Sequence, residues 1–188
     1  AQNLKIREAI TAKMGWYPEN PQELTKKVDQ LLMQSPKTKI NGTILGIISP
    51  HAGYFYSGHV AASGYSLLKG KKIKRVVVIS PTHIRAFYGA SIYDGDAYAT
   101  PLGNILVDHD FADKLAKKDP LIKRSGEGHI DTRGERGEHA LEAQLPFLQH
   151  VLGEFKLVPI VMGEDSYETC RTLGIALSEL IIPDETII

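Results

Sequence analysis

The sequence predicts an α/β fold with a mostly parallel central sheet flanked by helices. Two runs rich in Ile and Val, Thr43–His51 (T-I-L-G-I-I-S-P-H) and Arg75–His83 (R-V-V-V-I-S-P-T-H), break at Ser-Pro and deliver a histidine. A third run, Phe155–Gly163, is similarly apolar and ends in glycine. Short apolar runs bounded by breakers are the pattern of buried parallel strands, and stretches with helical spacing lie between them.

In chain order, the opening twenty residues end in Gly15-Trp16-Tyr17-Pro18-Glu19-Asn20, an ordered turn that pins the terminus to the body. Asn20-Pro21 opens a helix through about Gln34, with Glu23 in its first turn and Leu24, Val28, Leu31 and Leu32 at helical spacing. After the first predicted strand, Gly53 offers a tight turn with positive φ. A helix follows from about Ser57 to Leu68, built on Val60, Ala61, Ala62 and Tyr65. Residues 69–74 form a solvated basic connector. Ala90, Ile92 and Tyr93 suggest a short strand and Ile105–Asp108 another, after which Asp110 caps a helix through about Lys118. Residues 119–138, polar and glycine-rich, read as a surface loop. Glu138–Leu148 is helical, with Pro146 marking a kink or a restart. Pro159 within the third strand argues for a bulge or an edge position. A helix from about Ser166 to Leu180 carries Cys170 as a small core residue, and the final Glu185–Ile188 reads as the first half of another buried strand.

The 188 residues suffice for one α/β domain over 1–188, and an apolar content of 43% with 23% charge describes an ordinary globular chain. Lys and Arg number 22, as do Asp and Glu, so no bulk charge points to nucleic acid or a membrane surface as partner. One cysteine excludes an internal disulfide framework and fits a reducing compartment. No stretch approaches the roughly 20 apolar residues of a span. The polar start lacks a secretory signal, so cytoplasmic is the expected location.

Proline stops each histidine-bearing strand because it has no N–H for a ladder. His51 and His83 then sit just past carboxyl ends, where open α/β sheets place their ligand sites. In neighbouring parallel strands those ends lie roughly 5 Å apart, close enough for two imidazoles to share one metal. The alternative is two unrelated polar loop residues. Gly53, Tyr54, Tyr56 and Thr82 would line the adjoining pocket, with the following helix directing its N-terminus at the same crevice. His139 and Glu142, three apart, share a helix face. Spacing alone reads them as a solvent-exposed pair, a metal ligand with its neighbour, or an acid/base pair in which Glu142 fixes the imidazole's tautomer. His109, His129 and His150 have nothing distinctive around them.

Several separated motifs in order resemble the Memo family. They are Pro50-His51-Ala52-Gly53-Tyr54, Ser80-Pro81-Thr82-His83, Tyr98-Ala99-Thr100-Pro101-Leu102-Gly103 and Glu138-His139-Ala140-Leu141-Glu142, with Gly15-Trp16-Tyr17-Pro18 near the start. The resemblance covers essentially the whole chain. It implies a three-layer fold akin to the class III non-haem iron extradiol dioxygenases (LigB-like). It also implies metal-ligand roles for His51 and His83, and a place near the pocket for His139 and Glu142, taken here as catalytic candidates. Family members run on through a Ser-Asp-Phe-Ser-His-like segment and a ligating Cys that this sequence lacks; Cys170 is outside that motif, and the chain is expected to continue beyond Ile188 in nature. The expected function is a mononuclear iron or copper site with redox or dioxygenase-like activity on a small-molecule or peptide ligand. Two alternatives stand beside it: a non-enzymatic adapter capturing a peptide in the same pocket, and a metal-assisted hydrolase with His139 as general base.

Overall fold

The computed structural model describes residues 3–131 and 133–188; the first two residues of the opening segment and residue 132 of the polar stretch lie outside that description. The elements run β1 (Ile6–Arg7), α1 (Ile10–Lys13), α2 (Pro21–Met33), α3 (Tyr54–Tyr65), β2 (Arg75–Pro81), β3 (Ala90–Ile92), β4 (Ala97–Thr100), β5 (Gly103–Leu106), α4 (His109–Ala116), β6 (Ile122–Arg124), α5 (His139–Glu142), α6 (Leu145–Leu152), β7 (Lys156–Met162), α7 (Tyr167–Ser178) and β8 (Thr186–Ile187). A five-stranded sheet has the order β6-β3-β7-β2-β8, and a three-stranded one the order β1-β4-β5. In the larger sheet every pairing is parallel except β3 with β7.

Alternation along β2 feeds two apolar layers. Val76 and Val78 join Leu24, Val28, Tyr65 and Phe147 of α2, α3 and α6 on one face. Val77 joins Phe111 and Leu115 of α4 and Leu173 and Leu177 of α7 on the other. This is the predicted α/β class, helices on both sides of a mostly parallel sheet. Among the described residues no helix is long and apolar enough to cross a membrane.

The helix at Pro21 begins as predicted, with the Asn20 side chain accepting from Gln22 N at 2.9 Å and Glu23 N at 3.0 Å. Other expectations change. The helix after His51 starts at Tyr54, three residues early, and ends in a 3₁₀ turn over Ser66–Leu68; Gly53 caps it with an ordinary φ of −55°, and Val60 faces solvent. Asp108, not Asp110, caps α4, accepting from Phe111 N at 3.1 Å. Pro146 marks a restart: it sits in the first turn of α6, where a missing N–H costs no helical bond. Cys170 is exposed rather than in the core.

Pro159 lies in central β7, neither at an edge nor in a bulge. Lys156 N donates toward β2 and Thr82 N to Met162 O, so alternation turns the Pro159 nitrogen to the β3 side. There Tyr93 N donates to Pro159 O at 3.1 Å, and the Tyr93 carbonyl opposite the ring nitrogen accepts from Arg124 Nη2 at 3.1 Å, so the missing N–H leaves no acceptor unpaired.

The largest change concerns Thr43–His51, which forms no regular strand and mixes exposed and half-buried residues with none fully buried. Its ladder is reduced to Ile188 N donating to Leu45 O (3.1 Å) and Ile47 N donating to Ile188 O (2.8 Å). It is also not β2's neighbour, because β8 takes that place. A strand needs a paired partner as well as an apolar run, and only the lower end of this segment has one.

The polar stretch 119–138 is more than a surface loop. It contributes β6, and His129 is fully buried, accepting from Tyr98 Oη at 2.5 Å through Nδ1 and donating from Nε2 to Ser91 O at 2.9 Å. Burial pulls the His129 pKa from 6.5 down to about 3, so the folded chain keeps it neutral. Below pH 6.5 the unfolded chain binds a proton that the folded one refuses, so stability falls as pH drops from 6.5 toward 3. The expected slope is about 1.4 kcal/mol per pH unit from this group. Urea denaturation between pH 7 and pH 4 should show a steeper loss for the native chain than for His129→Gln; parallel curves would refute it.

Candidate metal centre

Three imidazoles from three separate segments meet beyond the end of β2. His51 ends the extended segment, His83 stands two residues past β2, and His139 is the first residue of α5. Ring centroids are 5.2 Å apart for His51 and His83, 4.2 Å for His83 and His139, and 5.9 Å for His51 and His139. One nitrogen from each ring lies within 4.8 Å of the others. Nitrogens bound at about 2.1 Å to one ion are at most about 4.2 Å apart, so a small side-chain rotation closes the set.

Each ring is held by a particular device. Pro81 ends the ladder of β2, and Thr82 Oγ1 accepts from Ile84 N at 3.3 Å and donates to Arg85 O at 3.0 Å, folding the turn that presents His83. The fully buried Glu138 grips that turn: Oε2 accepts from His83 N at 2.6 Å, and Oε1 from Ala140 N at 2.9 Å and His83 Nδ1 at 2.8 Å. A carboxylate only accepts, so the ring proton sits on Nδ1 and the Nε2 lone pair is free. His51 is steadied through Pro50, whose carbonyl accepts from Gln144 Nε2 at 3.2 Å while Gln144 Oε1 accepts from Tyr65 Oη at 2.6 Å. His139 leans on Trp16, with centroids 4.2 Å apart. Burial lowers its pKa from 6.5; the Glu138 carboxylate opposes that shift, and the His83 and His51 rings reinforce it.

The reading of His139 and Glu142 as an exposed pair is corrected. The His139 side chain is 18% exposed, and Glu142 is fully buried on another side of the helix. Its carboxylate pairs with the Arg7 guanidinium and accepts from Thr11 N (3.0 Å), Ala12 N (3.2 Å) and Tyr17 Oη (2.5 Å). The carboxylate that meets an imidazole is Glu138, unassigned from sequence; its only signal was an acid immediately before a helix. Burial, and then the charge of Glu142, push the Tyr17 pKa far up, so that hydroxyl stays a donor.

Of the predicted pocket residues, Thr82 lines a cavity of about 690 Å³ together with the ligand candidate His83 and with Cys170. Tyr54 is buried, donating from Oη to Ala143 O at 2.8 Å, and its backbone N donates to Trp16 O at 2.8 Å. Gly53 lies beside the Trp16 backbone, where a Cβ would come within 3.3 Å of that carbonyl. Tyr56 projects into solvent, edge-on to Phe55.

Comparison with known proteins points to one family. The family model described as "Memo-like protein" matches residues 7–188. A MEMO1 family protein of Aquifex aeolicus is 34% identical over 186 residues, covering 98% of this chain and 65% of its own length. A MEMO1 family protein of Methanocaldococcus jannaschii is 33% identical over 190 residues, 94% of this chain and 63% of the relative. The protein memo-1 homolog of Caenorhabditis elegans is 33% identical over 163 residues, 85% of this chain and 44% of the relative. The chain thus spans about two thirds or less of the length of these relatives. Similarity of this extent makes the chain a member of the Memo family.

Proposed function

We propose that this Memo-family chain holds one iron or copper ion through His51, His83 and His139 and serves redox chemistry on a small-molecule or peptide ligand. The observation that carries the reading is the convergence of three imidazoles from distant segments, with ligand nitrogens within 4.8 Å. The donor set fits, because neutral imidazole suits both iron and copper and one ring already has its proton fixed on the far nitrogen by a buried acid. A bound ion would supply an electron-transfer centre with open coordination positions. The chain's own residues do the rest: Glu138 keeps the proton on His83 Nδ1, Gln144 orients Pro50–His51, and Trp16 walls one side of His139. His139 is a ligand in this reading instead of a general base.

Titration with Fe(II) under argon and with Cu(II) tests it. One equivalent per chain is expected, weakened about 100-fold by His51→Ala, His83→Ala or His139→Ala. Protons compete for the imidazole nitrogens, so binding weakens on acidification, and the lowered His139 pKa puts that ring's share of the loss below pH 6.5. Metal content unchanged in the His51→Ala/His83→Ala double variant would remove the site. A ligand set of three histidines without a carboxylate also favours a second reading, a zinc-dependent hydrolase. Oxygen consumption with catechols supports the first; ester cleavage by the zinc-loaded chain supports the second.

A further inference from the structure

A row of aromatic rings starts against the imidazole cluster and runs into the core. Trp16 is half-buried and rests on His139, with centroids 4.2 Å apart. Tyr17, the next residue, is buried, and its ring centroid lies 5.3 Å from that of Tyr54. Tyr54 is 4.8 Å from Phe147, which stacks on Tyr65 at 5.2 Å. The chain's single tryptophan thus borders the cluster, with phenols behind it. Indole and phenol give up one electron more readily than imidazole or an amide, so an electron vacancy formed at the cluster can move inward along this row.

Where the vacancy stops is decided by a proton. A phenol that loses an electron becomes a strong acid, and a dry core tolerates the new charge only if the hydroxyl proton passes to a base. Tyr17 has that base: its Oη donates to Glu142 Oε1 at 2.5 Å, while Oε2 of the same carboxylate pairs with the Arg7 guanidinium. Burial and the Glu142 charge keep the Tyr17 hydroxyl protonated until the electron leaves. Tyr54 Oη donates to Ala143 O at 2.8 Å and Tyr65 Oη to Gln144 Oε1 at 2.6 Å, and amide oxygens are poor proton acceptors. Tyr98 has a base in His129, but the Arg7 charge, 5.3 Å from the Tyr98 ring, opposes an imidazolium there.

We propose that Trp16 and Tyr17, with Glu142 as proton acceptor, form a radical relay that drains one-electron oxidants from the imidazole cluster. The oxidant is a peroxide-derived radical of the carbonate radical anion class. It takes one electron from the Trp16 indole and becomes carbonate. Tyr17 returns an electron to the indole while its Oη proton crosses to Glu142 Oε1. Intact tryptophan, a neutral tyrosyl radical and a carboxylic acid remain, and Arg7 keeps its bond to Oε2. A one-electron donor such as ascorbate then reduces the tyrosyl as the proton returns from Glu142. The relay deepens the redox reading and rests on it for its purpose, yet electron transfer along it needs no metal, so metal titration and radical transfer fail separately.

Pulse radiolysis of the metal-free chain in azide solution tests it, because the azide radical oxidises indole in preference to phenol and Trp16 is the one indole present. The Trp16 radical is expected to decay in a first-order step independent of chain concentration. A tyrosyl signal should rise at the same rate, and both should slow in D₂O. Tyr17→Phe should lengthen the Trp16 radical lifetime about tenfold or more, and Tyr54→Phe should leave it unchanged. An unchanged lifetime in Tyr17→Phe would overturn the proposal, as would equal lengthening by Tyr54→Phe. Equal rates in H₂O and D₂O would overturn the role of Glu142 as proton acceptor.

Discussion

Glu142→Ala is expected to lower folding stability by about 3–5 kcal/mol, because it leaves the Arg7 guanidinium charged and unpaired in a dry interior. Both side chains are fully buried. Arg7 also donates from Nη2 to Glu138 O at 2.9 Å, and Glu142 receives the backbone N–H groups of Thr11 and Ala12 in the first turn of α1. One carboxylate thus ties β1, α1, Tyr17 and α5 together, and Trp16, next to Tyr17, rests on His139. Loss of the acid should loosen the wall of the imidazole cluster as well as the fold. Urea denaturation at pH 7 measures the first effect, and intrinsic Trp16 fluorescence the second. Replacing both partners by apolar residues, Arg7→Met with Glu142→Leu, should recover part of the loss, since neither charge then needs a partner. A loss under about 1 kcal/mol in Glu142→Ala would mean that water reaches Arg7 and the anchor is weaker than its burial implies.

The second large effect is expected from Glu138→Gln, a change of one atom that should weaken metal binding about 10–100-fold. Both Glu138 oxygens accept, Oε1 from His83 Nδ1 and Ala140 N and Oε2 from His83 N. An amide has one acceptor oxygen and one donor nitrogen, so at least one of these N–H groups would face another donor. His83 then loses the bond that fixes its tautomer and its orientation. Isothermal titration with Co(II) or Cu(II) reads the affinity, and ¹⁵N shifts of the His83 ring read the tautomer. Unchanged affinity with an altered tautomer would show that Glu138 holds the turn alone and does not tune the ligand.

Much of this could be read from the chain alone. The run Arg75–Pro81 announces a buried strand by its unbroken β-branched side chains, and Asn20-Pro21 announces a helix start by local chemistry; both depend on neighbours a few residues away. The two Ser-Pro breaks, and the histidines that follow them, are local in the same sense. What lay beyond the sequence was every choice set by partners far along the chain. Thr43–His51 looks as much like a strand as Arg75–His83, yet β8 takes the place beside β2 and leaves most of that segment unpaired. Helical spacing puts His139 and Glu142 on one face, but α5 is a four-residue turn wedged between two surfaces. It gives His139 to the cluster and Glu142 to Arg7, 135 residues away. Sequence therefore determined which histidines stand at the ends of elements and which segments want to be strands or helices. Tertiary structure alone decided which imidazoles meet, and which of two nearby acids holds one of them, because hydrogen bonds and burial are settled by packing between segments whose separation no periodicity encodes.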